Sequence, residues 1–283
     1  MTDAPLPKGP LPHAPRLGLA DGARIPQLGF GLYKVPAADA TGLAIAAIDA
    51  GYRHLDTAAF YANEAEVGEA VRQTDVARDE LFVTSKVWKD DNGYDATLRA
   101  FDASMARFGI EALDLYLIHW PVPSTDRYVD TWRALVRLQA DGRVRSIGVS
   151  NFHVHHVDRI VDETGVAPVV NQVELHPWLP QRELRADHAA RGIRVEAWSP
   201  LARGRVLDDP TLAELAAKHG RSPAQVVLRW HVQQGVIAIP KASSPARLRE
   251  NLDVFDFELD DADLAAIASL ETGERTGRDP DLD

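Results

Sequence analysis

Eight short runs rich in apolar and β-branched residues recur along the chain: "QLGFGL", "RHLD", "LFVTSKV", "LDLYLIHW", "VRSIGVSN", "PVVNQVEL", "IRVEAWS" and "VIAIPK". Between them lie stretches such as "ADATGLAIAAIDA", "YDATLRAFDASMARF" and "YVDTWRALVRLQADG", in which apolar residues return at three and four. Strand and helix in strict alternation imply an α/β chain with parallel strands and right-handed crossovers, and eight units of roughly thirty residues match a closed (β/α)8 TIM barrel. An open doubly wound sheet is the rival. No G-x-G-x-x-G follows an early strand to support it, and Gly29-Phe30-Gly31 alone is too weak for a dinucleotide fingerprint. Ahead of the barrel, Asp21-Gly22 between two apolar arms reads as a tight turn, so an N-terminal β-hairpin closing the bottom is expected. Residues 1–15 hold five prolines and read as a flexible arm, leaving 16–283 as a single barrel domain.

Charge and cysteine usage narrow the function classes. Lys and Arg number 31 against 42 Asp and Glu, a formal charge of −11, which disfavours nucleic acid or an anionic membrane as partner. With no cysteine, disulfides, thiolate metal sites and a cysteine nucleophile are excluded. No secretory signal or membrane-spanning run is evident, so a cytoplasmic protein is expected. A monomer acting on a small molecule, with no metal in its site, completes the expectation.

In such a barrel the C-terminal ends of the strands carry the chemistry. Asp56 ends the second run, Lys86 closes "LFVTSK", and His119 closes "LDLYLIH". Tyr61 falls in the loop before a helix whose start, Asn63 with Glu66 three residues on, resembles a capping box. Alone, a strand-end Asp or His is more often a cap or a satisfied polar group. Four ionisable residues in successive units are not explained by capping. A phenol is a poor acid at neutral pH, and an adjacent ammonium such as Lys86 strengthens it. Asp56 can serve as the counter-ion of Lys86, and His119 can hydrogen-bond a substrate oxygen. The set contains no nucleophile; it suits protonation of a carbonyl oxygen while a cofactor delivers hydride to the carbon.

The segments "GYRHLDTAAFYANEAEVGEAV", "SKVW", "LDLYLIHWP", "GVSNF", "NQVELHP", "SPL" and "IPKASSPARLREN" follow, in order, the motifs of the aldo-keto reductase family. The chain resembles that family from about Leu17 to its tail, with Trp198 similar to the bacterial branch that reduces diketo-sugar acids. The resemblance implies an NADPH-dependent carbonyl reductase in which Tyr61 is the general acid, Lys86 and Asp56 tune it, and His119 orients the carbonyl. It also implies that Ser150, Asn151 and Gln172 grip the nicotinamide amide and that Trp198 stacks on the ring. Gly31 and Leu32 would join the cofactor contacts, and Ser199, Leu201 and Gly204 would line the pyrophosphate. Lys241 and Arg247 would meet the 2′-phosphate, with Ser243 a further cofactor contact and Glu250 and Asn251 at the adenine. Ala242 stands where a serine or threonine often follows this lysine, which weakens the preference for NADPH over NADH.

Tyr33, Trp88 and Trp120 each adjoin an assigned rim residue and are candidates for an aromatic substrate wall. "WPVPSTDR" is a short connection after His119, and the tail "ETGERTGRDPDLD" offers Arg275 and Arg278 rather than a greasy lid. Small polar aldehydes, ketones and dicarbonyls are therefore expected over steroids. Two other readings stay open at this point: a non-catalytic nucleotide-binding regulatory subunit, and a sugar-phosphate isomerase or aldolase. The compact connections disfavour the first, and the absence of a glycine-rich phosphate loop after the seventh and eighth runs disfavours the second.

Overall fold

The computed structural model describes residues 14–282, so nearly all of the proline-rich arm lies outside the described residues. The chain enters through strands β1 (Arg16–Gly18) and β2 (Arg24–Pro26), an antiparallel hairpin with Leu17 opposite Ile25. Asp21 Oδ1 accepts from Ala23 N at 3.1 Å inside the turn, and Asp21 Oδ2 accepts from Ser146 Oγ at 2.7 Å, which ties the turn to the sheet.

All eight expected runs become strands: β3 (Phe30–Gly31), β4 (His54–Asp56), β5 (Phe82–Val87), β6 (Leu113–Ile118), β7 (Val144–Ser150), β8 (Val170–Glu174), β9 (Arg194–Trp198) and β10 (Ile237–Ala238). They pair in chain order, every pair parallel. A parallel bridge between Leu28 and Ala238 joins the two edges. Across this seam Ala238 N donates to Gln27 O at 3.0 Å, Gly29 N to Ala238 O at 2.9 Å, and Gly31 N to Pro240 O at 3.2 Å. A Cβ on Gly31 would fall 2.6 Å from Ile239 O, so the edges meet this closely only over glycine.

Helices alternate with the strands: α1 (Ala37–Ala50), α2 (Glu64–Gln73), α3 (Tyr94–Phe108), α4 (Tyr128–Ala140), α5 (Val154–Thr164), α6 (Arg182–Ala190), α7 (Pro210–His219), α8 (Pro223–Gln233), α9 (Pro245–Leu252) and α10 (Asp261–Ala268). The long periodic stretch from Thr211 to Gly235 divides into α7 and α8. The break falls at Gly220, after which Ser222 and Gln225 form a capping box with Pro223 in the first turn. Both α9 and α10 are eight residues long, too short for a repeat at three and four to stand out in sequence.

Packing decides which end of the barrel is open. Leu19 and Ile25 of the hairpin cluster with Phe82, Val170 and Ile237, the first residues of β5, β8 and β10, and with Leu115, Leu117 and Val169. Burying each such side chain contributes about 1.5–3 kcal/mol. The hairpin thus plugs the N-terminal end, and the C-terminal ends of the strands are left to build a site. No helix among the described residues is long and apolar enough to cross a membrane.

Candidate active site

Asp56 is the last residue of β4 and Lys86 the penultimate residue of β5, adjacent strands that bring them together inside the rim. Lys86 Nζ donates to Asp56 Oδ1 at 2.7 Å and to Thr57 O at 2.9 Å, with both side chains buried. Tyr61 closes a 3-10 turn, Ala59–Tyr61, just before α2, and its ring centre lies 5.2 Å from Lys86 Nζ. His119 follows β6 directly, with its imidazole edge-on to Tyr61 at 5.6 Å. The four rim residues therefore converge.

The capping box expected at α2 does not form. Asn63 makes no side-chain cap bond, because its amide spans the rim instead. It donates to Leu32 O at 3.1 Å and Val35 O at 3.2 Å and accepts from Thr57 Oγ1 at 2.5 Å. Asn63 thus ties the β3 and β4 loops together around Tyr61.

The electrostatics differ from the sequence expectation in one respect. Lys86 spends two of its three donors on Asp56 and Thr57, and the Tyr61 phenol is pushed well above its ordinary pKa by burial first, then by Asp56, Tyr33 and Glu196. The resting phenol is protonated. Burial, helped by Lys86, holds His119 well below the usual imidazole range, so it is neutral at pH 7. Its Nδ1 is buried without a partner. Burial likewise pushes the Asp56 carboxyl up, while the Lys86 ammonium and the Gln172 amide pull against it.

Glu196, on β9, escaped the sequence reading. Gln172 Nε2 donates to Asp56 Oδ2 at 2.8 Å and to Glu196 Oε2 at 2.9 Å, so one amide group links two buried carboxyls. With Lys86 engaged by Asp56, and the His54 ring 3.6 Å from Glu196 kept neutral by burial, Glu196 has no cation of its own among the described residues, and burial followed by Asp56 pushes its pKa up to about 8. An acid in the middle of the apolar run "IRVEAW" was the available signal. The same contacts fix the Gln172 amide, whose nitrogen faces the carboxyls and whose oxygen is left for a ligand.

The residues implied for a nicotinamide also assemble. Ser150 Oγ donates to Gln172 O at 2.7 Å, Asn151 Nδ2 donates to His119 O at 2.9 Å, and Trp198 Nε1 donates to Asn151 Oδ1 at 2.8 Å. Asn151 adopts the left-handed conformation, φ 62°, as it turns out of β7.

The 3-10 segment Ala202–Asp208 after β9 is kinked, with left-handed residues at Ser199 (φ 46°), Ala202 (φ 48°), Arg203 (φ 57°) and Gly204 (φ 88°). The turns are closed by Ala202 N donating to Ser199 O at 2.8 Å and Gly204 N to Leu201 O at 2.7 Å. At α9, Ser244 caps the helix by accepting from Arg247 N, while Arg247 and Lys241 are exposed and pair with no acid among the described residues. Two unpaired cations in a chain of net charge −11 fit a phosphate. Lys241 Nζ donates to Lys34 O at 3.1 Å, across the seam. Ser243 is exposed beside it, and the half-buried Glu250 and buried Asn251 follow on α9. Ala242 is buried in the main apolar cluster.

The substrate side is aromatic. Tyr33 lies 5.0 Å from Tyr61, and Trp88 meets His119 edge-on at 5.1 Å. Phe60, absent from the expected set, stacks on Trp88 at 3.9 Å and 13° and is 51% exposed. Trp120 is half-buried and shares no ring contact with them among the described residues. The short connection holds only a 3-10 turn, Pro123–Thr125. The tail is pinned: Glu174 accepts from Thr276 N and Oγ1, both at 2.5 Å, and from Gly277 N at 3.0 Å. A Cβ on Gly277 would fall 2.4 Å from the Trp198 ring. Arg278 is exposed, and Arg275 lies 3.7 Å from Asp279.

A plugged (β/α)8 barrel with a protonated phenol, a neutral imidazole and a buried ammonium–carboxylate pair at its open end defines a class of oxidoreductase. The aldo/keto reductase family profile matches residues 27–272. Glyoxal reductase of Bacillus subtilis is 50% identical over 264 residues, covering 93% of this chain and 95% of its own. Methylglyoxal reductase DkgA of Salmonella typhimurium is 48% identical over 265 residues, 93% and 96% of the two chains. The crystal structure of a Gox0644 mutant in complex with NADPH superposes with a TM-score of 0.92 at 47% identity, covering 96% and 99%. The chain belongs to the aldo/keto reductase family.

Proposed function

We propose that this protein reduces small polar aldehydes and dicarbonyls of the methylglyoxal type to alcohols, with Tyr61 as the proton donor. As a family member it is an NADPH-dependent oxidoreductase. The observation that carries the finer reading is the protonated Tyr61 phenol, held between the neutral His119 ring and the Lys86–Asp56 pair.

Bound NADPH supplies hydride to the carbonyl carbon. The chain's own residues do the rest. Neutral His119 positions the carbonyl oxygen near the phenol. As negative charge grows on that oxygen, it becomes more basic than a phenolate, so Tyr61 gives up its proton even from a raised pKa. The phenolate left behind has the Lys86 ammonium nearby, a charge that is already in place and needs no reorganisation. Gln172, fixed by two carboxyls, presents its oxygen to an amide, and Trp198, braced by Asn151 and Gly277, offers a flat face for a ring.

The short connection after His119 and the polar tail favour small substrates. A steroid ketone gains about 25 cal/mol per Å² only where walls cover it. With saturating NADPH, kcat/KM for methylglyoxal is expected to exceed that for a steroid ketone by at least about tenfold, equivalent to ~1.4 kcal/mol of transition-state binding. Steady-state NADPH oxidation measures both, and equal or better use of the steroid would overturn the open-pocket reading.

Cofactor choice has its own test. Arg247→Ala removes a cation assigned to the 2′-phosphate and is expected to weaken NADPH by roughly tenfold to a hundredfold while leaving NADH almost unchanged. Fluorescence titration with both nucleotides reads the difference. Equal losses would move Arg247 away from the phosphate.

A further inference from the structure

The tail does not end at Glu174. Beyond Gly277 it runs to the N-terminus of α5, where "HVHH" at residues 153–156 faces Asp279 and Asp281. His153 Nε2 lies 3.1 Å from Asp279 Oδ1, and Asp281 Oδ1 lies 3.2 Å from His155 Nε2 and 3.3 Å from His156 Nε2. Two overlapping trios, His153–Asp279–Asp281 and His155–His156–Asp281, each hold their ligand atoms within 4.8 Å of one another.

We infer that His153, His155, Asp279 and Asp281 form a binding site for a divalent transition metal, of the zinc class, that staples the C-terminal tail to α5. Three features of the cluster point there. Zinc with nitrogen and oxygen ligands at about 2.0–2.1 Å in a tetrahedron sets its ligands about 3.3 Å apart, and the imidazole–carboxylate separations here run from 3.1 to 3.8 Å. Imidazole nitrogen with carboxylate oxygen is a donor set that zinc accepts, whereas calcium and magnesium want oxygen throughout. Finally, no Lys or Arg meets Asp281 among the described residues; only imidazoles face it, so its charge is met by groups that are themselves lone-pair donors.

His156 plays a different part. Its Nδ1 accepts from His153 N at 3.1 Å in the cap of α5, so its Nε2 carries the proton and sits 3.3 Å from Asp281 Oδ1. Its ring flanks the carboxylate from outside the ligand set, where supporting groups commonly stand at metal sites. His155, with its side chain 63% exposed, is free to swing onto the ion, and only its rotamer must change. Both anchored segments belong to the site already described. Gly277 packs against Trp198, and α5 follows the β7 end that carries Ser150 and Asn151. An ion here closes the loop between them.

Untagged protein, stripped with chelator and dialysed, is titrated with ZnCl2 by calorimetry. One ion per chain is expected, with affinity at least tenfold weaker in Asp281→Asn and in His155→Ala. Both substitutions replace exposed side chains outside the barrel, and circular dichroism verifies their fold. In parallel, hydrogen exchange of residues 276–282 is expected to slow at least severalfold with Zn²⁺ in the wild type and to be unmoved by it in Asp281→Asn. No saturable binding, equal affinity in wild type and both variants, or a tail that exchanges alike with and without zinc would each overturn the staple.

Discussion

Tyr61→Phe is expected to fold and bind NADPH as the parent does, yet to reduce carbonyls at least about a hundredfold more slowly, the usual contribution of a positioned acid. The Tyr61 hydroxyl makes no hydrogen bond among the described residues, so removing it orphans no partner. The ring contacts to Tyr33 and His119 survive in phenylalanine. Stability and cofactor affinity should therefore stay level while kcat falls. Denaturation, nucleotide titration and turnover on methylglyoxal separate the three quantities, and a variant that keeps its turnover would remove Tyr61 from the proton path.

Lys86→Met should act on stability as well as turnover. Lys86 is wholly buried and its ammonium is the only cation on Asp56 among the described residues, so its removal leaves a buried carboxylate with just the Gln172 amide. Breaking a buried pair in this way costs about 3–5 kcal/mol. Part of that cost is avoided when Asp56 takes up a proton. In the variant the folded-state pKa of Asp56 rises further above its unfolded value, so the folded form holds a proton that the unfolded chain releases. The variant then does best below the unfolded pKa of about 4 and loses stability as pH climbs through the folded value. Urea melts at pH 5 and pH 8 should show the deficit widening with pH. The double variant Lys86→Met/Asp56→Asn, which removes both charges, should recover much of the loss. A single variant as stable as the parent at pH 8 would mean that the pair is not the electrostatic keystone of the rim.

Much of this site could be read from the chain alone, because its determinants are local. A strand end is marked where an apolar run stops, and Asp56, Lys86 and His119 each sit at such a stop. The eight strands were legible for the same reason. What escaped the sequence depends on contacts between distant segments or on which face of a strand is which. In a parallel barrel both faces of a strand are buried, so period-two alternation does not say that Glu196 turns inward toward Gln172. Phe60 needs Trp88 from another loop to become a stacked wall. Asn63 looked like a helix cap, since its spacing to Glu66 fits one, but three partners across the rim outcompeted the cap. The tail read as polar, with no greasy lid; Glu174, 102 residues earlier, gives it a buried acceptor that no local pattern announces.

The seam between β3 and β10 carries a consequence for how the barrel breathes. Both strands are only two residues long and share one bridge, whereas β5 and β6 pair over four residues. Thermal opening should begin at this seam, as a gap prised between first and last strands rather than as a fraying of the middle of the sheet. The groups assigned to the nucleotide flank that gap: Gly31 and Leu32 on one lip, Lys241 through Asn251 on the other. A ligand held by both lips acts as a clasp, and its binding free energy is spent first on keeping the ring shut.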